Sequence, residues 1–175
     1  MNPLTEESFE VRPAIIDDAT GIAQVHVKSW IETYKGLVPD DYLATLSVAE
    51  KSKIWKELLS QPAPNSRTFV ATLDNQIVGF VSGGEAREKT HGFTGELYAI
   101  YLLKEQQGKG IGKALFQTLT DYLKKLGITS MFLWVLRDNK TVAFYKAMGG
   151  TRGTSQDDEM GGQFFKEDMY FWDKI

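Results

Sequence analysis

The chain has 175 residues, of which 42% are hydrophobic and 25% charged, the size and composition of one globular domain with a full apolar core. It contains no cysteine, so disulfide bonds, cysteine-ligated zinc and a cysteine acyl-enzyme are excluded. The net charge of −3 argues against binding to nucleic acid and favours cationic partners.

The N-terminal third is predicted to hold a short strand followed by helical segments. The stretch Met1–Glu10 is polar and acidic, unlike a signal peptide. In chain order, the strand and the helices are expected at residues 9–12, 18–34, 38–46 and 47–59. Pro13 is typical of a strand at a sheet edge, Asp17 or Asp18 can cap the long helix, and Ser47 opens the last helix with a capping box.

From residue 69 onward the pattern changes from helix to sheet. Two β-rich runs, 69–73 and 76–83, flank Asp74 and Asn75, which predicts a hairpin with a two-residue turn. The later elements are expected at residues 95–103 (strand), 111–126 (helix), 130–136 (strand), 139–148 (helix), 150–155 and 163–172 (strands). No apolar run approaches the length of about 18 residues that a membrane span needs. This order predicts one α/β domain over residues 1–175, in the cytoplasm and without membrane contact.

A glycine-rich loop lies between the strand at 95–103 and the helix behind it. It reads Gln107-Gly108-Lys109-Gly110-Ile111-Gly112-Lys113. Alternate glycines let the backbone expose consecutive N–H groups, while the helix start and the two lysines add positive potential, so the loop is a candidate phosphate or pyrophosphate cradle. A Walker A loop is excluded by Gln107 and Ala114, and the glycine spacing makes a dinucleotide fingerprint a weak interpretation.

Two motifs in this chain resemble those of the GCN5-related N-acetyltransferase (GNAT) superfamily. Gln107-x-x-Gly110-x-Gly112 is similar to the superfamily's acetyl-CoA pyrophosphate loop. A second match begins 27 residues beyond Gly112 and consists of Asn139, Ala143, Phe144, Tyr145, Lys146 and Gly149. Two motifs in the right order are far less expected by chance than one, so the chain is identified as a member of the superfamily. The W-x-x-T-Y sequence from Trp30 to Tyr34 resembles the branch that contains bacterial polyamine acetyltransferases.

The resemblance implies a fold and a co-substrate. The expected fold is α/β, with a mixed, mostly antiparallel sheet of six to seven strands and helices on both faces. Acetyl-CoA is expected in a V-shaped opening between the strands at 96–103 and 130–136. A bulge in the first of these strands would turn the main chain of Ile100, Tyr101 and Leu102 toward the pantetheine arm.

The resemblance also implies that other residues of the two motifs bind the cofactor. Residues 107–113 are expected to hold the pyrophosphate, and Lys146 belongs to the second motif. Asn139 is either a polar contact to the pantetheine arm or simply a helix cap. Gly150 stands where the superfamily usually has Phe, which is expected to affect packing more than chemistry.

The reaction implied is direct transfer of an acetyl group to an amine, and the resemblance supplies two catalytic candidates. Tyr145 matches a tyrosine that lies near the thioester sulfur and stabilises the departing thiolate; the alternative is a core aromatic residue. Glu96 matches an acid that can accept the proton of the amine; the alternative is a solvated carboxylate at the sheet edge. Tyr98, on the same face as Glu96 by strand alternation, is the substitute base.

Trp30, Tyr34 and Tyr98 are candidates for the acceptor pocket. On the predicted helix, Trp30 and Tyr34 form an aromatic stripe with His26 at steps of four residues. Such a stripe more often packs on a sheet, and this alternative stays open. Acidic residues such as the run Asp157-Asp158-Glu159 could line the mouth of the pocket. These features favour a polyamine-like small amine as the acceptor; the alternatives are a protein N-terminus or lysine, and a CoA-binding module without activity. No metal is expected, since neither histidine has a second ligand at helical spacing, and a homodimer is one possible assembly.

Overall fold

A computed structural model describes residues 8–175, so most of the stretch Met1–Glu10 lies outside the described residues. The strands are β1 (Glu10–Pro13), β2 (Ser66–Leu73), β3 (Gln76–Glu85), β4 (Gly95–Leu102), β5 (Met131–Leu136), β6 (Thr151–Met160) and β7 (Gln163–Trp172). The helices are α1 (Ala19–Tyr34), α2 (Asp40–Ala44), α3 (Val48–Ser60), α4 (Ile111–Lys125) and α5 (Val142–Ala147), with 3-10 turns at Ile16–Asp18 and Lys104–Gln106. Within this described range, no helix has the length and apolar character needed to cross a bilayer.

Within residues 8–175, seven strands form one sheet in the order β1-β2-β3-β4-β5-β7-β6. Neighbouring strands are antiparallel, except for the parallel pair β4 and β5. Successive residues of a strand point to opposite faces: in β3, Phe80 packs with α1 and α3, while Val81 packs with α4. Helices therefore cover both faces, which confirms the predicted mixed, mostly antiparallel architecture.

Two predicted local signals have the expected geometry. Asp74 and Asn75 have φ values of 49° and 61°, as a two-residue type I′ hairpin turn requires. The Ser47 hydroxyl accepts a hydrogen bond from the Glu50 N–H at 3.3 Å and so caps α3. These contacts fix the hairpin between β2 and β3 and the first turn of α3.

Two predicted local features are wrong. Asp18 does not cap α1 with its side chain. Its carboxylate binds Arg12 at 2.7 Å and the N–H of Ile15 at 2.8 Å, because a 3-10 turn precedes the helix. β6 continues to Met160 and does not end at residue 155, because glycines at 161–162 form a tight turn that lets polar residues pair with β7 along the whole strand.

A buried carboxylate links β7 to the neighbouring chain segments on both sides. Asp168 is 3% exposed and binds Arg137 at 2.8 Å and Arg152 at 3.0 Å. The Ser155 hydroxyl donates to the same carboxylate at 2.7 Å. The hydrogen bonds from Arg137 are the main reason that the pKa of Asp168 lies well below its ordinary value.

We expect Asp168→Asn to lower the free energy of unfolding by about 2 kcal/mol at pH 7, because charge-assisted hydrogen bonds are lost while the arginines stay. The folded pKa of Asp168 is depressed, so its contribution is fully present above the ordinary aspartate pKa of about 4 and is lost as the pH falls through the folded value. The difference between variant and wild type therefore shrinks at acid pH. Urea unfolding at pH 7 and at pH 3 measures both effects.

Asp157→Asn is the matched control for this experiment. Asp157 pairs with Lys166 at 2.5 Å, but the two side chains are 54% and 55% exposed. Exposed pairs of this kind contribute about 0.5 kcal/mol or less. An equal loss of stability in the two variants would contradict the structural role of Asp168.

Candidate active site

The strands β4 and β5 diverge and open a cleft. Among the described residues they pair in parallel only where Gly95 faces Met131 and Glu96 faces Phe132. The register between β3 and β4 shifts at Tyr98, which is an extra residue on β4 and therefore a β-bulge. The predicted V-shaped opening and the predicted bulge are both present.

A cavity of about 400 Å³ lies in this cleft. Its walls come from α1, α2, β4, β5, α5 and the β6–β7 hairpin. The residues predicted to bind the cofactor or the acceptor that line it are Trp30, Tyr34, Tyr98, Ile100, Tyr101, Asn139 and Tyr145. The structure thus brings the predicted acceptor residues and the predicted thioester residue into one chamber, whose volume is within the range of small-molecule sites.

Tyr145 lines the cavity but is only 7% exposed. Burial raises the pKa of its phenol well above the ordinary value, so the hydroxyl stays protonated and can donate a hydrogen bond. A Cβ on Gly150 would lie 2.9 Å from the Tyr145 carbonyl oxygen and 2.8 Å from the Trp172 ring. The glycine at this position therefore lets Trp172 pack beside the main chain of α5.

The side chain of Asn139 is engaged within the protein. Its Oδ1 accepts from the N–H of Thr141 at 2.9 Å, and its Nδ2 donates to the Tyr34 hydroxyl at 3.1 Å. The first of these bonds forms a turn before α5, whose N-cap residue is Thr141 and has no side-chain cap, so Asn139 shapes the approach to the helix without being its N-cap residue. Tyr34 also packs against Trp30, with 4.3 Å between ring centroids, and the three residues together form one wall of the cavity.

The residues of the predicted aromatic stripe on α1 have two different environments. His26 accepts a hydrogen bond from Trp55 Nε1 at 3.2 Å and stacks on Tyr101 with 5.1 Å between ring centroids. Burial lowers the pKa of His26 to about 4, so it is neutral at pH 7. It packs on the sheet behind the cavity wall, whereas Trp30 and Tyr34 line the cavity. In the described part of the chain, no cluster of three or more histidine or acidic residues could hold a metal ion.

The glycine-rich loop lies outside the cavity lining, between the end of β4 and the start of α4. Gly108 and Gly110 have φ values of 76° and 85°, and Gly110 immediately precedes the helix. Ala114 donates its N–H to the Gly110 carbonyl at 3.1 Å, so the N–H groups of residues 111–113 belong to the helix end that has no partner within the helix. Such a group of N–H donors at the positive end of a helix can bind a phosphate.

The two predicted motifs pack directly against each other. A Cβ on Gly112 would lie 3.3 Å from the Phe144 ring, so the absence of a side chain allows α4 to approach α5. At the other side of the loop, Gln107 Nε2 donates to the Leu102 carbonyl at 3.2 Å. The loop is therefore tied both to the end of β4 and to the helix that carries the buried tyrosine.

Three predicted cofactor-binding residues are exposed lysines: Lys109, Lys113 and Lys146. Lys109 Nζ donates to Gln106 Oε1 at 3.1 Å. Among the described residues that line the cavity, none of the three lysines occurs, and neither does Leu102. These residues can only meet a part of the cofactor that extends beyond the cavity.

The geometry opposes the predicted role of Glu96 as the base. Its carboxylate is bound by the guanidinium and the main-chain N–H of Arg87, and Glu96 is absent from the described lining of the cavity. Strict alternation along β4 would put Glu96 and Tyr98 on the same face of the sheet. The bulge at Tyr98 interrupts the alternation, so Tyr98 lines the cavity and Glu96 does not. Tyr98 does line the cavity, but its hydroxyl donates to the Glu85 carbonyl at 2.5 Å, and burial raises its pKa to about 12, so it is a poor substitute base.

The β6–β7 hairpin adds carboxylates to the cavity. Asp158 and Glu159, from the acidic run noted in the sequence, line it together with Glu167. Gln156 pairs with Glu167, and Asp158 pairs with Phe165, so these side chains project from one face of the sheet. Phe165 packs in a cluster with aromatic residues of α1, which shows that this face is turned toward the acceptor residues.

Sequence reasoning missed Glu167 and Tyr42, which also line the cavity. The segment that holds Glu167 alternates poorly between polar and apolar residues, and its partner strand is expected to end at residue 155. A usable signal is the pair Gly161-Gly162 between two runs of residues, which is typical of a two-residue hairpin turn. Placing the turn there predicts the longer β6 and brings Asp158 near Glu167.

A glycine-rich loop at a helix start, beside a splayed, bulged strand pair, is the arrangement expected of an enzyme that transfers acyl groups from coenzyme A. Residues 29–149 match the acetyltransferase (GNAT) family, and the chain belongs to this family. It is an N-acetyltransferase, and acetyl-CoA is its co-substrate.

Similar proteins occur in bacteria and archaea. The uncharacterized N-acetyltransferase YuaI of Bacillus subtilis is 38% identical over 163 residues, which cover 93% of this chain and 91% of that protein. The spermidine N(1)-acetyltransferase of Thermoplasma acidophilum is 28% identical, with 93% of this chain and 98% of that protein covered. The crystal structure of the PaiA N-acetyltransferase from Thermoplasma acidophilum in complex with coenzyme A has a TM-score of 0.68 and 26% identity, and covers 92% of this chain and 98% of that one.

Proposed function

We propose that this protein transfers the acetyl group of acetyl-CoA to a primary amine of a small, polyamine-like cation. The observation that carries the proposal is the charge of the cavity: Asp158 and Glu167, which project from the same face of the hairpin, line it, and no Lys, Arg or His is among the described lining residues. Trp30 and Tyr42 add aromatic rings, 6.3 Å apart between centroids. A small cation is attracted both by carboxylates and by aromatic faces.

One relative supports the same class of acceptor. The protein of Thermoplasma acidophilum that covers 93% of this chain carries the name spermidine N(1)-acetyltransferase. The structural relative bound to coenzyme A covers 92% of this chain and supports the co-substrate. Both similarities extend well beyond the two motifs.

In the proposed complex, the pantetheine arm lies along the main chain of Ile100, Tyr101 and Leu102. This placement is supported by the divergence of β5, which leaves that side of β4 without a strand partner beyond Glu96 among the described residues. The pyrophosphate lies at residues 107–113, and Lys146 approaches the part of the cofactor outside the cavity. Asn139, held by its internal bonds, serves as a wall of the cavity.

The chemistry proposed is direct attack of the amine nitrogen on the thioester carbonyl, since the chain has no cysteine for an acyl-enzyme. A main-chain N–H of the bulged strand donates to the carbonyl oxygen as it becomes an oxyanion, which contributes about 3 kcal/mol to such reactions. Tyr145 donates a hydrogen bond to the departing thiolate. A free phenol has a pKa of about 10 and a thiol about 8.5, so stabilisation without full proton transfer is the favoured role.

Free-thiol release with matched amines tests the proposed acceptor class. We expect turnover with spermidine and putrescine. We expect kcat/KM to be at least about tenfold lower for γ-aminobutyrate, which has the chain length of putrescine but a carboxylate in place of the second ammonium group. Equal turnover of putrescine and γ-aminobutyrate would contradict the role of the acidic lining.

The same assay separates the alternative functions. Turnover only with peptides would support acetylation of protein N-termini or lysines. Binding of coenzyme A in calorimetry, without turnover of any amine, would support a binding module. The cytoplasmic location and the homodimer stay predictions. Subcellular fractionation and sedimentation measure them.

A further inference from the structure

We propose that Glu167 is the group that accepts a proton from the acceptor ammonium, the role for which the sequence pointed to Glu96. A basic alkyl amine is almost wholly protonated at pH 7 and cannot attack a thioester until it loses a proton. The inference rests on the proposed function, because only a strongly basic acceptor needs such a group.

Glu167 lies at the end of the cleft where β5 stops. It pairs across the sheet with Leu136, the last residue of β5, and it lines the same cavity as Tyr145. Gln156 Nε2 donates to Glu167 Oε2 at 3.0 Å and so orients the carboxylate. An amine held in this cavity can therefore meet a carboxylate on one side while it approaches the predicted position of the thioester.

The other titratable groups near the cavity are less suited to take up a proton. Buried phenols such as Tyr34 and Tyr145 are already protonated, since burial raises their pKa values. Glu96 is paired with Arg87 and lies outside the described lining. Among the described residues, the groups that shift the pKa of Glu167 include no Lys or Arg. The Glu167 carboxylate can therefore attract an incoming ammonium group.

The surroundings of Glu167 favour the protonated form more than water does. Burial raises the pKa of this carboxyl group, and the like charge of Asp158 raises it further, while the hydrogen bond from Gln156 opposes the rise. The groups that face it are therefore Gln156 and Asp158 on β6 and the Tyr34 phenol on α1. A carboxyl pKa that rises toward that of the amine makes proton transfer from the ammonium less uphill.

The step balances without any further reactant. An N–H bond of the ammonium breaks, its proton forms an O–H bond on Glu167, and the nitrogen keeps the electron pair. That pair forms the C–N bond to the acetyl carbon, the C–S bond breaks, and the sulfur takes the electron pair. The nitrogen, now bonded to the acetyl carbon, loses a second proton, and this proton goes to the sulfur. Glu167 then releases its proton to water.

Glu167→Gln tests the inference, because the amide keeps the shape and the bond to Gln156 but is not basic. With spermidine at pH 7 we expect kcat to fall about 100-fold, within the usual contribution of a general base, while KM for acetyl-CoA stays within a few-fold. The decisive readout is the dependence on acceptor basicity. With a putrescine that carries two fluorines on the carbon next to one aminomethyl group, whose amine is largely neutral at pH 8, the loss in the variant should shrink to less than about tenfold for acetylation of that nitrogen, identified by analysis of the product.

Asp157→Asn is the matched control, since it removes a carboxylate of the same hairpin that pairs with Lys166 and is absent from the described lining of the cavity. We expect its kcat and its KM for spermidine to stay within about twofold of wild type, and the fluorinated amine should show the same ratio to wild type. Glu167→Asp, which keeps a carboxylate, should retain more kcat than Glu167→Gln, and equal thermal unfolding of the variants shows that folding is intact. An unchanged kcat in Glu167→Gln, or a loss independent of acceptor basicity, overturns the inference alone. Absence of wild-type turnover with every basic amine overturns it together with the proposed function.

Discussion

Replacing Tyr145 by Phe is expected to lower kcat by about 10- to 100-fold, while the affinity for acetyl-CoA stays within a few-fold. One hydrogen bond to a charged group is commonly worth about 1.5 to 3 kcal/mol, which corresponds to this range of rates. The bond forms as the thiolate develops and is weak in the ground state, so its loss lowers kcat more than binding. Burial keeps the phenol protonated, so the donor is present over the whole pH range of an ordinary assay.

Single-turnover measurement of thiol release, with binding of acetyl-CoA measured by calorimetry, separates the two effects. Tyr122→Phe is the matched control: it removes a phenol whose hydroxyl donates to the Ser66 carbonyl at 3.4 Å and which is not among the described cavity residues. We expect kcat of the control within twofold or so of wild type. A normal kcat in Tyr145→Phe would remove the proposed role of Tyr145.

The parts of the site that could be predicted are those in which the local sequence fixes the local geometry. The glycine loop is one example, because Gly110 has a φ of 85° that other residues rarely adopt. The two motifs pack together through Gly112 and Phe144, which are distant in the chain, so their place in one site was predictable only from the resemblance to the superfamily. Trp30 and Tyr34 line the cavity as predicted because helical periodicity is regular along α1.

The parts that could not be predicted depend on long-range pairing. A single extra residue at Tyr98 interrupts the alternation of β4, and sequence alone does not show where a bulge falls. The partner of Glu96 is Arg87, from a loop whose path the sequence does not specify. Glu167 reaches the cavity through a strand pair closed by a glycine turn, so its position depends on the register of the whole hairpin.

The difference between locally encoded features and long-range pairing explains why the sequence predicts the cofactor-binding part of the site better than the acceptor-binding part. Loop and helix-start geometry is encoded within a few residues, whereas the acceptor end is assembled from α1, α2 and the β6–β7 hairpin. Those elements are distant in sequence, and their charges become one acidic chamber only after the sheet has formed. Under the proposed function, acceptor specificity therefore depends on the hairpin register, and variants at positions 158 and 167 probe it more directly than variants in the motifs.

Gly110→Val is expected to weaken binding of acetyl-CoA at least about tenfold, with kcat at saturation within a few-fold of wild type. A β-branched residue is strongly disfavoured at a positive φ, so the turn before α4 must rearrange. The N–H groups of residues 111–113 then lose their common direction, and one or two charge-assisted hydrogen bonds of about 1.5 kcal/mol each are lost with them. Calorimetry with coenzyme A, which has the same pyrophosphate, measures the change without turnover.

Gly92→Val separates loss of phosphate binding from backbone strain. Gly92 has a φ of 81° against 85° for Gly110, and a Cβ at either position would meet no atom within 4 Å, so the two substitutions cost similar strain. Gly92 lies in the turn before β4, far along the chain from the loop, and is not among the described cavity residues. We expect both variants to lose similar stability and only Gly110→Val to lose affinity. Equal affinities in the two variants would mean that the loop does not bind the pyrophosphate, because strain alone cannot distinguish them.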